Sequence, residues 1–316
     1  MGQLINGKWT SGDVIKRAKD GQFHRQDSGF RSWITADGSA GPGGEPGFAA
    51  EAGRYHLYVS LACPWAHRTL ITRRLKGLED LISVSVVNWL MADQGWTFAP
   101  APCVAGDLLH DTKFLHEIYT RAEPRYTGKV TVPVLWDKTR NTIVSNESAE
   151  IIRMFNSAFD AVGANGRDFY PVALRGEIDT INDRVYRDLN NGVYRAGFAG
   201  SQAAYVEAAE AVFETLDWLE GRLTINRWLT GDSLTEADIR LFTTLIRFDA
   251  VYHGHFKCNL RRILDYEAIS RFLSEFLAVP GVKETVNMEH IRRHYYESHR
   301  QLNPGGIVPI GPELPF

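Results

Sequence analysis

The stretch Tyr55–Gly77, YHLYVSLACPWAHRTLITRRLKG, constrains the rest of the chain more than any other. Leu57 and Val59 alternate with more polar neighbours, as in a short strand. The chain then turns through Ser60 to Pro64 and runs on as a helix. Pro64 suits a first helical turn, where its missing N–H is not needed and its fixed φ matches helix entry. Cys63 therefore falls at or just before the helix N-terminus. Unpaired N–H groups and the helix dipole there favour a thiolate, and His67 and Arg68 stand within about one turn. Two residues after Pro64, where a CxxC motif carries its second cysteine, the chain has Ala66. Disulfide chemistry at Cys63 must borrow its second thiol from outside the protein.

A lone cysteine is more often a small buried hydrophobe, and that is the reading for Cys103 and Cys258. For Cys63, the strand, the proline, the helix start and the nearby cations favour a reactive thiol of the thioredoxin type. Three cysteines in 316 residues do not make a disulfide framework, which points to a reducing, cytoplasmic setting. A hydrophobic share of 44% with 23% charged residues is that of a soluble globular protein. A net charge of -3 gives no sign of nucleic-acid binding, and no apolar run approaches the length of a membrane span.

Residues 1–50 read as an irregular arm and linker. Asn6-Gly7 and Ser11-Gly12 are turn signals, and Gly38 to Gly47 is too rich in Gly and Pro for a helix. That cluster lacks the Gly-Lys-Ser/Thr ending of a phosphate loop. Phe23, Phe30 and Trp33 are candidate packing anchors for the arm. Residues 51–160 read as an α/β domain. Leu81–Val87 is a β-branched run suited to a buried strand, which makes 55–87 a βαβ unit. A helix is expected over Thr112–Ala122. Thr131–Trp136 and Thr142–Val144 form a hairpin across Asp137–Asn141, with Pro133 at a tolerable strand start. Ser145-Asn146-Glu147-Ser148 opens a further helix. These residues can simply be caps, or the helix start can hold a ligand carboxylate while Glu147 meets a ligand ammonium.

Asp160–Pro171 is a linker by composition, and from 171 to 316 the period is helical. Ile178, Ile181, Val185 and Leu189 make one stripe; Tyr205, Ala209, Val212, Leu216, Leu219 and Leu223 make a second. A third begins at a Thr235/Asp238 capping box and carries Ile239, Phe242, Leu245 and Ile246. The fourth is Ile269, Phe272, Leu273 and Phe276, closed by Pro280-Gly281. No strand is needed after about residue 145. The proline-rich tail from Gly305 to Phe316 should be extended. His290 and His294, with His299 beyond, do not follow His-Glu-x-x-His, so a solvated basic face is expected there rather than zinc.

An N-terminal thioredoxin-like domain followed by an all-helical domain resembles the glutathione transferase fold. Leu234-Thr235-Glu236-Ala237-Asp238-Ile239 is similar to that superfamily's helix-capping motif, and Val132-Pro133 and Glu147-Ser148 to its glutathione-binding positions. Cys63-Pro64-Trp65-Ala66-His67-Arg68 resembles the glutathionyl-hydroquinone reductases, or Xi-class glutathione transferases. So does His294-Tyr295-Tyr296-Glu297-Ser298-His299, with Asn303-Pro304 and Ile307-Val308-Pro309 after it.

The resemblance implies that Cys63 attacks the sulfur of a glutathionyl-hydroquinone, releasing the hydroquinone and leaving a mixed disulfide. A second glutathione then resolves that disulfide to oxidised glutathione. It further implies that Trp96, Lys129, Val132, Glu147 and Ser148 hold glutathione, the co-substrate, with no metal. Relatives often carry arginine near 129, and lysine lacks its bidentate fork. Tyr194, Tyr252 and Tyr295 would line an aromatic pocket, with Tyr194 and Tyr295 catalytic through their phenols. Packing between helices is the alternative for each tyrosine. A homodimer is implied, with no nucleic-acid or membrane partner. Two rivals stand beside this reading: an omega-like thioltransferase or dehydroascorbate reductase, and a binding module without activity. Retention of the cysteine and tyrosines argues against the second, and three tyrosines favour an aromatic substrate over ascorbate.

Overall fold

The computed structural model describes residues 2–12, 18, 20–45 and 47–313. Pro46 of the Gly/Pro cluster and Pro315 of the tail lie outside them. The chain forms two compact units: residues 1–14, 26–167 and 284–294 make the first, and residues 15–25, 168–283 and 295–316 the second.

In the first unit, β5 (Tyr55–Val59) lies inside a four-stranded sheet of order β6-β5-β7-β8. It pairs in parallel with β6 (Ile82–Val86) and antiparallel with β7 (Val134–Asp137); β7 pairs antiparallel with β8 (Thr142–Ser145). The β5–β6 crossover is α1 (Pro64–Leu75), which packs against α3 (Ser148–Ser157). The expected helix near 112–122 runs as α2 (Leu115–Ala122). All five residues of β5 are buried. Its polar members are covered because each finds a partner: the His56 imidazole lies 2.7 and 2.9 Å from the Ser83 and Ser85 hydroxyls, and the Tyr58 hydroxyl donates to Asp107 at 3.1 Å. Burying these groups without such bonds would be costly.

The arm is more ordered than its composition suggests. Gly2–Ile5 (β1) and Lys8–Ser11 (β2) form an antiparallel hairpin turning at Asn6-Gly7. Gly7 has φ +75°, and a Cβ there would lie 1.9 Å from the Pro124 carbonyl oxygen, so the turn needs glycine. Leu4 exchanges backbone hydrogen bonds with Gly128. Further on, Ile34–Thr35 (β3) and Phe48–Ala49 (β4) form a short parallel pair. Phe30 stacks on Tyr126 at 5.3 Å, as an anchor should. Residues 160–167 are tied to the end of α1, because the fully buried Lys76 ammonium donates to Asp160 at 2.8 Å and to the Arg167 carbonyl at 2.6 Å.

The second unit is helical among its described residues. Helix α4 (Arg175–Arg184) continues through a wide π turn (Val185–Asn190) towards α5 (Gly192–Gly197); α6 spans Gln202–Ile225. Helix α7 (Glu236–Arg247) likewise passes through a π turn (Phe248–Tyr252) into the short α8 (His253–His255). Helix α9 is Glu267–Leu277; α10 is Met288–Ser298, of which residues 288–294 belong to the first unit. The expected stripes are buried, except that Tyr205 is only half-buried. Thr235 and Asp238 cap α7 reciprocally, and Asp238 also accepts the Leu229 N–H at 2.8 Å. Burial raises the Asp238 carboxyl to about 6 even so. Residues 307–313 form neither helix nor strand, and Ile310 is almost fully exposed. No helix among the described residues is long and apolar enough to cross a membrane.

Candidate functional site

Cys63 stands at the N-cap of α1, its carbonyl accepting the His67 N–H at 2.9 Å, with Pro64 as the first helical residue. Its thiol is partly exposed and donates to the Val132 carbonyl at 3.6 Å. Val132 precedes Pro133 through a cis peptide bond, and its carbonyl faces the Cys63 thiol. The neighbouring His67 and Arg68 are buried: the His67 ring lies 2.8 Å from the Thr285 hydroxyl, and the Arg68 guanidinium sits over the Trp65 indole at 4.5 Å. Cys258 contrasts with Cys63. It is fully buried, and desolvation pushes its thiol up to about 12.

At the start of α3, Glu147 is the N-cap of its helix, and its Oε1 accepts the Ala149 N–H at 3.0 Å. Its Oε2 accepts from the Ser28 hydroxyl at 3.0 Å. Ser148 opens the ten-residue helix, is 2 % exposed, and its hydroxyl has no hydrogen-bond partner. A buried hydroxyl left unpaired is unfavourable, and beside the first N–H groups of a helix it suits a carboxylate. Glutathione carries such a group, and the residues present fit it. Trp96 is buried and held by a backbone bond from Leu115 to its carbonyl at 3.0 Å; its indole lies against His294. Lys129 is half-buried, its carbonyl accepting from the Tyr126 hydroxyl at 3.3 Å.

In the second unit, Tyr194, Tyr252 and Tyr295 meet at their hydroxyls. The Tyr295 oxygen lies 2.5 Å from that of Tyr194 and 3.0 Å from that of Tyr252. Burial holds the Tyr252 and Tyr295 phenols well above their usual range, against the opposing pull of the buried Arg247. Tyr252 and Tyr295 are thus held as neutral phenols. Residues 20–25 fasten onto this unit, with Phe23 against Phe198 at 5.4 Å and the Arg25 guanidinium 4.9 Å from the Tyr194 ring.

His290, His294 and His299 do not form a solvated face; all three are buried. Their apolar surroundings and specific partners account for this, such as the Pro102 carbonyl 2.7 Å from His290. Among the described residues no three metal-ligating side chains converge. Ser28 and His294 are the residues that sequence reasoning missed. Neither sits in a periodic segment pointing at its partner, and the only signal, His294 in a shared motif, says nothing of Trp96.

Residues 62–158 match the glutathione S-transferase N-terminal domain model, and residues 201–275 match the glutathione S-transferase C-terminal domain model. A monothiol at a helix start, beside a cis-proline segment and ahead of a helical unit, is accordingly a glutathione transferase arrangement. The chain is 59% identical to the glutathionyl-hydroquinone reductase YqjG of Escherichia coli over 99% of its length and 95% of the relative's. It is 54% identical to the glutathionyl-hydroquinone reductase PcpF of Sphingobium chlorophenolicum over 100% and 98% of the two chains. Among solved structures it is similar to glutathione-bound YqjG (TM-score 0.91, 57% identity, covering 99% and 96%). It is also similar to a Xi-class glutathione transferase of Natrialba magadii (TM-score 0.91, 48% identity, covering 99% and 94%). The chain belongs to the glutathionyl-hydroquinone reductases, the Xi class of the glutathione transferase superfamily.

Proposed function

We propose that this enzyme reduces glutathionyl-hydroquinones at the expense of glutathione, with Cys63 as nucleophile. The carrying observation is a partly exposed thiol at the start of α1 with Ala66 where a resolving cysteine would stand. Cys63 thiolate attacks the glutathionyl sulfur. A sulfur–sulfur bond forms, the carbon–sulfur bond breaks, and the ring carbon takes the electron pair together with a proton. A second glutathione thiolate attacks the glutathione sulfur of the mixed disulfide, giving oxidised glutathione and returning the Cys63 thiolate.

Trp96, Lys129, Val132, Glu147 and Ser148 bind glutathione in this reading. The unpartnered Ser148 hydroxyl, at the positive end of α3, takes a carboxylate, and the Val132 backbone meets a peptide group. Tyr194, Tyr252 and Tyr295 meet the quinol, and their phenols, with Tyr252 and Tyr295 kept neutral by burial, donate to its oxygens while the ring carbon is protonated. A homodimer in a reducing cytoplasm is the setting that goes with this reading. The phenol trio favours an aromatic substrate over the dehydroascorbate of an omega-like enzyme.

Cys63→Ala should abolish release of hydroquinone from a menadiol–glutathione conjugate, while wild type shows ping-pong kinetics and little turnover of dehydroascorbate. Near wild-type turnover in Cys63→Ala would overturn the mechanism, and faster reduction of dehydroascorbate would favour the omega-like rival.

A further inference from the structure

The segment 26–35 is not a passive linker. It runs alongside β8 and the start of α3, registered by paired bonds: the Phe30 N–H donates to the Asn146 side-chain oxygen at 3.0 Å, and the Asn146 N–H to the Phe30 carbonyl at 3.1 Å. The Ser32 N–H donates to the Val144 carbonyl at 3.0 Å, and Arg31 pairs with Glu150. The other side of Asn146 is fixed as well, its amide donating to the Tyr119 hydroxyl at 3.0 Å. The turn leading into Glu147 is therefore held from both sides, and Ser28 is delivered to the Glu147 carboxylate.

Glu147 has two oxygens with different duties. Oε1 is committed to the Ala149 N–H of its own helix. Oε2 lies 3.0 Å from the Ser28 hydroxyl, which also lies 3.3 Å from the Asn146 carbonyl. A carboxylate oxygen accepts more than one hydrogen bond, so Oε2 can take a cationic donor while Ser28 stays in place. One residue on, the buried and unpartnered Ser148 hydroxyl marks the same helix start as a ligand site. An amino acid end, with its carboxylate and ammonium on one carbon, matches a hydroxyl-lined helix start beside an oriented carboxylate.

We propose that Ser28 is a specificity-determining positioning residue. By holding Glu147 Oε2 it sets the acceptor for the γ-glutamyl ammonium of glutathione, so the N-terminal arm is part of the glutathione site. This inference rests on glutathione binding at the start of α3. The residue acts through Glu147, so its loss changes recognition of the ammonium more than the chemistry at Cys63.

The test compares glutathione with N-acetylglutathione, whose ammonium is blocked but whose thiol is intact, as the resolving thiol in steady-state turnover of the full chain. Wild type should prefer glutathione in kcat/KM by about tenfold or more, the scale of a charge-assisted hydrogen bond. Ser28→Ala should shrink that preference roughly three- to tenfold, mostly through KM, with kcat moving about twofold or less. Ser28→Thr, which keeps the hydroxyl, should restore it. The inference is overturned if Ser28→Ala keeps the full preference, if threonine does not rescue, or if wild type does not discriminate. A Cys63→Ala enzyme that still turned over with the preference intact would instead overturn the nucleophile assignment and leave Ser28 in place.

Discussion

The His294 imidazole lies nearly flat on the Trp96 indole, with ring centroids 4.8 Å apart and planes at 21°, while its Nδ1 donates to the Trp89 carbonyl at 2.7 Å. The hydrogen bond fixes the imidazole, and the imidazole fixes the indole. Such a stack contributes about 0.5–1.5 kcal/mol beyond the area it buries. His294→Ala should therefore raise the glutathione Kd about three- to tenfold by calorimetry in a Cys63→Ala background. His294→Phe retains a stacking ring and should keep most of the affinity. An unchanged Kd in His294→Ala would show that Trp96 needs no support or does not touch glutathione.

Tyr295 is the middle of the phenol trio, since its oxygen makes both contacts. Tyr295→Phe removes both, whereas Tyr252→Phe leaves the Tyr194–Tyr295 contact in place. General-acid assistance is commonly worth 10²- to 10⁴-fold, so Tyr295→Phe should lower kcat on a glutathionyl-hydroquinone by about a hundredfold, and Tyr252→Phe by less. Burial keeps the Tyr252 and Tyr295 phenols protonated beyond their usual range. The kcat profile should accordingly show no falling limb from these groups below about pH 10. A Tyr295→Phe enzyme with wild-type kcat would confine the trio to packing.

Legibility in the sequence depended on how local each determinant is. The β5–α1 junction was readable because Pro64 and Cys63 act on their immediate backbone, and the α7 cap because Thr235 and Asp238 are three residues apart. Ile178 to Leu189 and Ile269 to Phe276 announced themselves by period, and both sets are buried. The meeting of the tyrosines was not readable from period. Tyr194 comes just after the π turn Val185–Asn190 and Tyr252 ends the π turn Phe248–Tyr252, and a π turn inserts a residue that rotates the next side chains out of the stripe. Ser28 on Glu147 and His294 on Trp96 join residues 119 and 198 positions apart, with no repeating pattern that points from one to the other. Likewise, the alternation of β5 suggested a polar side, yet His56 and Tyr58 are buried because Ser83, Ser85 and Asp107 satisfy them.

That buried His56 makes acid stability measurable. Desolvation pushes its imidazole down to about 4, while in the unfolded chain it titrates near its ordinary 6.5. Between those values the unfolded state binds more protons than the folded one, so stability is complete above about pH 6.5 and declines as pH falls towards 4. His110, His116 and His290 are shifted downward by burial as well and add to the slope. Urea unfolding at pH 7, 6 and 5 should show wild type losing stability at each step. His56→Gln cannot charge and can still bond to a serine hydroxyl, so it should lose less over the same range whatever its stability at pH 7. Equal losses in the two proteins would mean that His56 is already charged in the native state, or that its bonds to Ser83 and Ser85 survive protonation.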